Sequence, residues 1–142
     1  MAVYEQISST PSLGDFPFKN YGGSTVAANL AVIIDTSNVV SPTGTNNAAG
    51  IALPGSAGVS VVGVTTADIA AGATGIVRTS GIALIKCEGT ITAGTMVQAS
   101  ATALKVGWAK AHSAAAAQIG MAITSSTEGE LIAVLLQPAK NA

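Results

Sequence analysis

The sequence predicts an all-β fold, a small β-barrel with an extended N-terminal arm. From Val59 onward the chain is a series of short β-branched or alternating runs separated by glycine turns. The one helix-like stretch, Ala109 to Gln118, is rich in alanine but lacks the large apolar stripe that would hold a ten-residue helix. It is read as a short helical turn or an irregular connection. Finally, four of the five aromatic residues (Tyr4, Phe16, Phe18 and Tyr21) fall in the first 21 positions, leaving only Trp108 for the rest.

Residues 1–30 are assigned to the arm. Pro11, Pro17 and Ser8-Ser9-Thr10 accompany the aromatics with no sustained period of 2 or 3.6, so the segment reads as extended rather than as a helix or a central strand. Aromatic burial alone does not hold such an arm still; backbone pairing with a neighbouring strand or surface is needed as well. Tyr4, Phe16, Phe18 and Tyr21 are the candidate anchors on a partner protein, the alternative being that they fold back on their own barrel.

Residues 31–142 are assigned to the β domain. A small-residue apolar run from Thr25 to Ile34 ends in Ala31-Val32-Ile33-Ile34-Asp35, the first strand, and 36–58 is a long loop rich in turn formers such as Ser41-Pro42-Thr43-Gly44 and Pro54-Gly55. Val59 to Val64 follows as a strand. Gly75 to Arg78 and Gly81 to Cys87 flank Thr79-Ser80 as the two arms of a tight hairpin. Thr95 to Ala99 alternates weakly. Leu104, Val106 and Trp108 form a one-sided alternation, as do Ile119, Met121 and Ile123. Leu131 to Leu136 and much of Ile82 to Cys87 are apolar on both faces, so these strands lie centrally or have their second face covered by another layer or subunit. A weak repetition recurs: Ala71-Gly72, Ala93-Gly94 and Glu128-Gly129 each precede a strand, at spacings too irregular for a solenoid.

Composition narrows the function. Only 9% of residues are charged and the formal net charge is -1, so no basic field exists for nucleic acid or an anionic membrane surface. Polar or small residues interrupt every apolar run well before the roughly 20 residues of a membrane span, and no secretory signal is visible at Met1 to Gln6. The chain is therefore expected to be soluble and made in a reducing cytosol.

Chemistry has little to draw on. His112, the single histidine, has no adjacent acid to orient it. Cys87, the single cysteine, sits in a strand-like run as a small core residue. No Gly-x-Gly or Gly-Lys phosphate loop occurs, and Glu128 and Glu130 beside Gly129 read as solvated acids rather than metal ligands. No enzyme activity, cofactor or metal is expected. Trp108 is the one aromatic of the β region that could stack a sugar, which keeps a glycan- or small-molecule-binding barrel as an alternative.

The order and spacing of several segments go further. Ala67-Asp68-Ile69-Ala70-Ala71-Gly72-Ala73-Thr74-Gly75-Ile76-Val77-Arg78 is followed by Gly89-Thr90-Ile91-Thr92-Ala93-Gly94-Thr95-Met96-Val97, then Gln118-Ile119-Gly120-Met121-Ala122, then Glu128 to Leu136. Together they resemble the small capsid decoration (cement) proteins of tailed bacteriophages, of the lambda-like head decoration type. The resemblance spans roughly Val59 to Gln137. It implies a β-tulip-like domain, set as homotrimers on the outside of an icosahedral head and clamping neighbouring subunits of the major capsid protein. It implies a virion protein made in the host cytoplasm, its arm gripping the shell. A head-fibre or tail-associated β module is the alternative within the same setting.

Overall fold

The computed structural model describes residues 14–38, 40 and 48–139. Ten strands form two β structures in chain succession: β1 Asp15–Asn20, β2 Ala31–Ile34, β3 Gly50–Ala52, β4 Gly63–Thr65, β5 Thr74–Arg78, β6 Gly81–Lys86, β7 Met96–Ala99, β8 Ala109–Ala111, β9 Gln118–Ala122 and β10 Leu131–Ala139. The first five close into a barrel in the order β1-β3-β2-β4-β5; the last five form a sheet in the order β6-β10-β9-β7-β8. The expected all-β, small-barrel fold is the one observed.

The barrel core is Phe18, Val26, Val32, Ile51, Ile69 and Val77. Its closure depends on the segment read as an arm. β1 pairs antiparallel with all five residues of β5 and parallel with β3 through Lys19 and Asn20. The backbone partner that the arm required is thus its own barrel, so residues 15–20 are a central strand. The 36–58 segment also contributes structure: β3 lies inside it and joins β1 to β2.

β5 and β6 do not form the expected hairpin. β5 pairs with β1 and β4, whereas β6 pairs with β10, so Thr79-Ser80 is the crossing point between the two structures. Thr79 is held there by its N–H and its hydroxyl, both donating to the Gly14 carbonyl at 2.6 and 2.8 Å. One further expectation fails for a local reason. Thr102 to Trp108 is a pair of turns (Lys105 N–H to Thr102 O, 2.8 Å; Trp108 N–H to Lys105 O, 3.1 Å), and the strand starts only at Ala109. The alanine run makes a single turn, Ser113 to Ala116, because β8 and β9 claim the residues on either side.

The weak repetition proves to be one turn built three times. Ile69, Ile91 and Ser126 each form an isolated β-bridge. Three residues later stands Gly72, Gly94 or Gly129 at φ 77°, 92° or 83°, a conformation that costs glycine nothing. Each of these N–H groups donates across to the carbonyl of Asn20, Ala122 or Cys87, at 2.7, 2.7 and 2.8 Å. The acceptor residue returns its own N–H to the carbonyl of Ala73, Thr95 or Glu130 at 2.9 Å in every case. The next strand then begins.

In the second sheet two of these units interlock. Gly94 and Gly129 are 35 residues apart, and the same shift sets β6–turn–β7 on β9–turn–β10. Each unit's second strand pairs with the other's first, β10 with β6 and β7 with β9. The sheet curls until Cys87 bridges Ala109 of β8 in parallel, with Glu88 N–H donating to Ala109 O at 2.8 Å. Its concave side buries Ile85, Cys87, Ile91, Val97, Ile119, Ile132 and Val134, and the barrel's Ala31 and Val64 join this cluster. Glycine at 120 is required by that packing, since a Cβ would run into the Leu135 carbonyl.

Candidate partner-binding surface

Three of the four anchors predicted from sequence, Phe16, Phe18 and Tyr21, are among the described residues, and they do not form one surface. Tyr4 lies outside the described residues. Phe16 is 48% exposed at one end of β1, on the strand that also sends Phe18 into the barrel core at 9% exposure. Tyr21 is half-buried: its hydroxyl donates to the Ala48 carbonyl at 2.8 Å, and Lys19 Nζ stands 4.9 Å from its ring centre. The Tyr21 ring sits where a Cβ on Gly50 would come within 2.8 Å of Cδ2, so a larger residue there would push the ring aside. Phe18 and Tyr21 therefore hold the barrel together, and Phe16 remains available for contact.

β1 also shapes the charge on the barrel exterior. Asp15 accepts two hydrogen bonds from Arg78, to Nε at 2.8 Å and Nη2 at 3.0 Å, and this raises the guanidinium pKa. Pro17 lies opposite Ile76, and Lys19 opposite Thr74, so the outward face here is mixed.

The second sheet presents a different exterior. The outward residues of β10 are Leu131, Ala133 and Leu135; cross-strand they meet Lys86, Leu84 and Ile82 of β6. Leu135 also lies opposite Met121, and Ile123 N–H reaches the Ala133 carbonyl at 2.9 Å. Ile82 and Leu84 are 50% exposed, Leu131 43% and Ile123 42%. The sequence signal for this face was the apolar character of both sides of β6 and β10.

Sequence reasoning missed a groove between barrel and sheet. It encloses about 370 Å³ and is lined by Leu30, Leu53, Leu104, Val106 and Trp108, with Lys86 Nζ 5.5 Å from the Trp108 ring centre. Leu104 is 96% exposed at φ 68°, a left-handed conformation that few leucines adopt. Among the described residues lysine is the one charged group in this lining, so they do not supply the several convergent polar groups that a sugar requires.

The groups with potential chemistry are committed to structure. Cys87 is fully buried; burial raises its thiol pKa and Glu128 adds to the effect, away from the reactive thiolate. A His112 ring nitrogen lies 2.9 Å from the Ala116 carbonyl. Glu128 pairs with Lys105 at 2.8 Å and accepts the Gly89 N–H, and these contacts lower its pKa. Among the described residues no group of three or more His, Cys, Asp or Glu is placed to hold a metal ion.

No protein-family model matches the chain, and no match is found among curated protein sequences. A solved structure does match in fold: the head fiber gp8.5 N base in bacteriophage phi29. The likeness has a TM-score of 0.63 at 15% identity and covers 90% of this chain and 98% of that one. At this identity it demonstrates a shared fold.

Proposed function

We propose that this chain is a structural protein of a tailed-phage virion that binds the outer surface of an icosahedral head. The observation that carries the reading is the likeness to a phage head-fibre base along nearly the full length of both chains. The order of sequence segments from Val59 to Gln137 points the same way. In this proposal the partners are the major capsid protein and other copies of the chain, with the homotrimer implied by the sequence resemblance. Neither nucleic acid nor membrane takes part, and binding does the work without catalysis. A ligand that binds only the assembled lattice stabilises it by linkage, and neighbouring sites add avidity.

Two forms of attachment follow. A cement protein clamps adjacent capsid subunits, with Phe16 and the N-terminal residues as its grip; a fibre base occupies its site and displays what it carries. The phi29 likeness supports the second as much as the first. Incubating the purified protein with undecorated heads separates them. Cement raises the temperature at which heads disrupt, and its density bridges neighbouring subunits in electron micrographs. A fibre base fills discrete sites and leaves that temperature unchanged. Heads that take up no protein refute both.

A further inference from the structure

We infer that the fork between β2 and residues 59–62 receives an extended, uncharged segment of a partner protein as an added β-strand. The partner's whereabouts rest on the function proposed above: the segment belongs to the head shell. β2 and β4 pair as far as Val32, where the ladder sets Gly63 opposite and Val62 N–H also reaches the Val32 carbonyl at 2.8 Å. Two residues thus oppose one, a β-bulge, and the pairing ends there. Beyond it the two chains part around a cleft of about 470 Å³, whose lining includes Ile33, Ile34, Thr36, Val59, Ser60 and Val61.

The register fixes what this cleft offers. Asp35 N–H donates to the Gly50 carbonyl at 2.8 Å and Ile33 stands opposite Ala52, so both residues turn their main-chain groups to β3. Alternation turns those of Ile34 the other way, into the cleft. On the facing wall Val62 N–H points at β2, and Ser60, two residues earlier, points the same way. After the bulge these are the next two residues due to pair, yet among the described residues neither has a main-chain partner on that side. Both are exposed, Ile34 at 39%. Hydrogen bonds on the outer sides hold the walls apart. β3 holds β2, and Gly58 is tied to the second sheet, donating to Ala99 O at 3.0 Å and accepting from Ala117 N–H at 2.8 Å.

The walls select their occupant. An N–H and a C=O on each side match the main chain of an extended segment, the recognition mode of strand addition. No ionisable side chain among the described residues lines the cleft, so a charged segment would lose its hydration without gaining a counter-charge. Edges meant to stay free are commonly guarded by lysine or proline, and Val59-Ser60-Val61-Val62 has neither. One short strand buries far less than the roughly 800 Å² per partner of a standard interface. Such a contact suffices where many copies bind one repeating lattice and other contacts act with it, which is the setting of a head.

The test is hydrogen exchange of the full chain, free and bound to undecorated heads, read by mass spectrometry on fragments that hold Ile34 and Ser60. Both amides should exchange fast in the free protein and at least about tenfold more slowly on heads. Ser60→Ala keeps the N–H and should bind heads as the wild type does, whereas Ser60→Pro lacks it and should bind roughly tenfold more weakly or worse. Circular dichroism checks folding, and Ile34→Glu, which sets a charge in the cleft, serves if Ser60→Pro does not fold. Bound protein whose two amides stay fast overturns this inference and leaves the proposed function standing, as does equal uptake of Ser60→Ala and Ser60→Pro. Amides already slow in the free protein mean that this chain fills its own cleft or, if dilution from about 100 to 1 μM frees them, that a second copy does. Either result overturns the inference. Heads that take up no protein defeat the proposed function, and this inference with it.

Discussion

The barrel and the second sheet are built with the same turn and end as different objects. In the barrel the turn at Gly72 locks onto Asn20, at the end of β1, and the strands close completely around Phe18 and Ile69. In the second sheet the turns at Gly94 and Gly129 lock onto each other's units, so two equivalent pieces interlock and leave an apolar face outward. One local code thus serves two topologies. What distinguishes them is the residue that receives the glycine N–H, and that residue is distant in sequence.

The largest expected effect tests the barrel's dependence on β1. Deleting residues 1–21 removes the strand that joins β5 to β3, and the barrel should lose its cooperative unfolding transition. Deleting 1–13 leaves every described strand in place, and thermal melting should show a folded protein. If the shorter deletion also unfolds the chain, the barrel is not closed by β1 alone.

Next comes the contrast within β1. Phe18→Ala empties part of the barrel core and should cost about 3–5 kcal/mol in denaturant unfolding. Phe16→Ala, at a half-exposed position, should stay within about 0.5 kcal/mol and show its effect in head binding instead. Equal costs would mean that Phe16 is packed as tightly as Phe18.

These residues also show what the sequence made legible. Glycine turns and β-branched runs announced the all-β class, since both act locally through φ and side-chain packing. The turn repetition was visible at Ala71-Gly72, Ala93-Gly94 and Glu128-Gly129, but the hydrogen bonds that define it run to Asn20, Ala122 and Cys87 and have no sequence signature. β1 was hidden because Asp15 to Asn20 includes a proline and does not alternate cleanly; its strand identity comes from β5 and β3. For the same reason Thr79-Ser80 resembled a hairpin turn, although the strands it joins find their partners elsewhere. Of the candidate surface, the doubly apolar β6 and β10 could be read directly, whereas the Leu104–Trp108 groove required the packing of barrel on sheet.

A smaller effect asks whether the three turns are energetically alike. Nothing lies near a Cβ built on Gly72, Gly94 or Gly129, so alanine there meets backbone strain and no clash. Each substitution should cost about 1–2 kcal/mol. A much larger cost at Gly94 and Gly129 than at Gly72 would show that interlocking tightens the turn beyond its local geometry.

The smallest effect concerns acid, and it belongs to the second sheet. Burial favours the neutral form of Glu88, but the polar side chains of Ser100 and Thr102, with Lys110 and Lys105 nearby, outweigh it and hold the carboxyl below the usual glutamate range. A folded-state pKa below the unfolded one means that ionised Glu88 stabilises the fold above about pH 4.3 and loses that contribution as pH falls through the folded value. Glu128 shifts in the same direction through Lys105 and Gly89, but it is exposed, so salt should screen its share. Melting curves from neutral pH down to about pH 3 should fall less steeply for Glu88→Gln than for wild type. The Glu88 difference should persist at high salt, where that of Glu128→Gln fades. If both vanish together with salt, Glu88 is as solvated as Glu128, and this half-buried carboxylate does not distinguish the second sheet from the barrel.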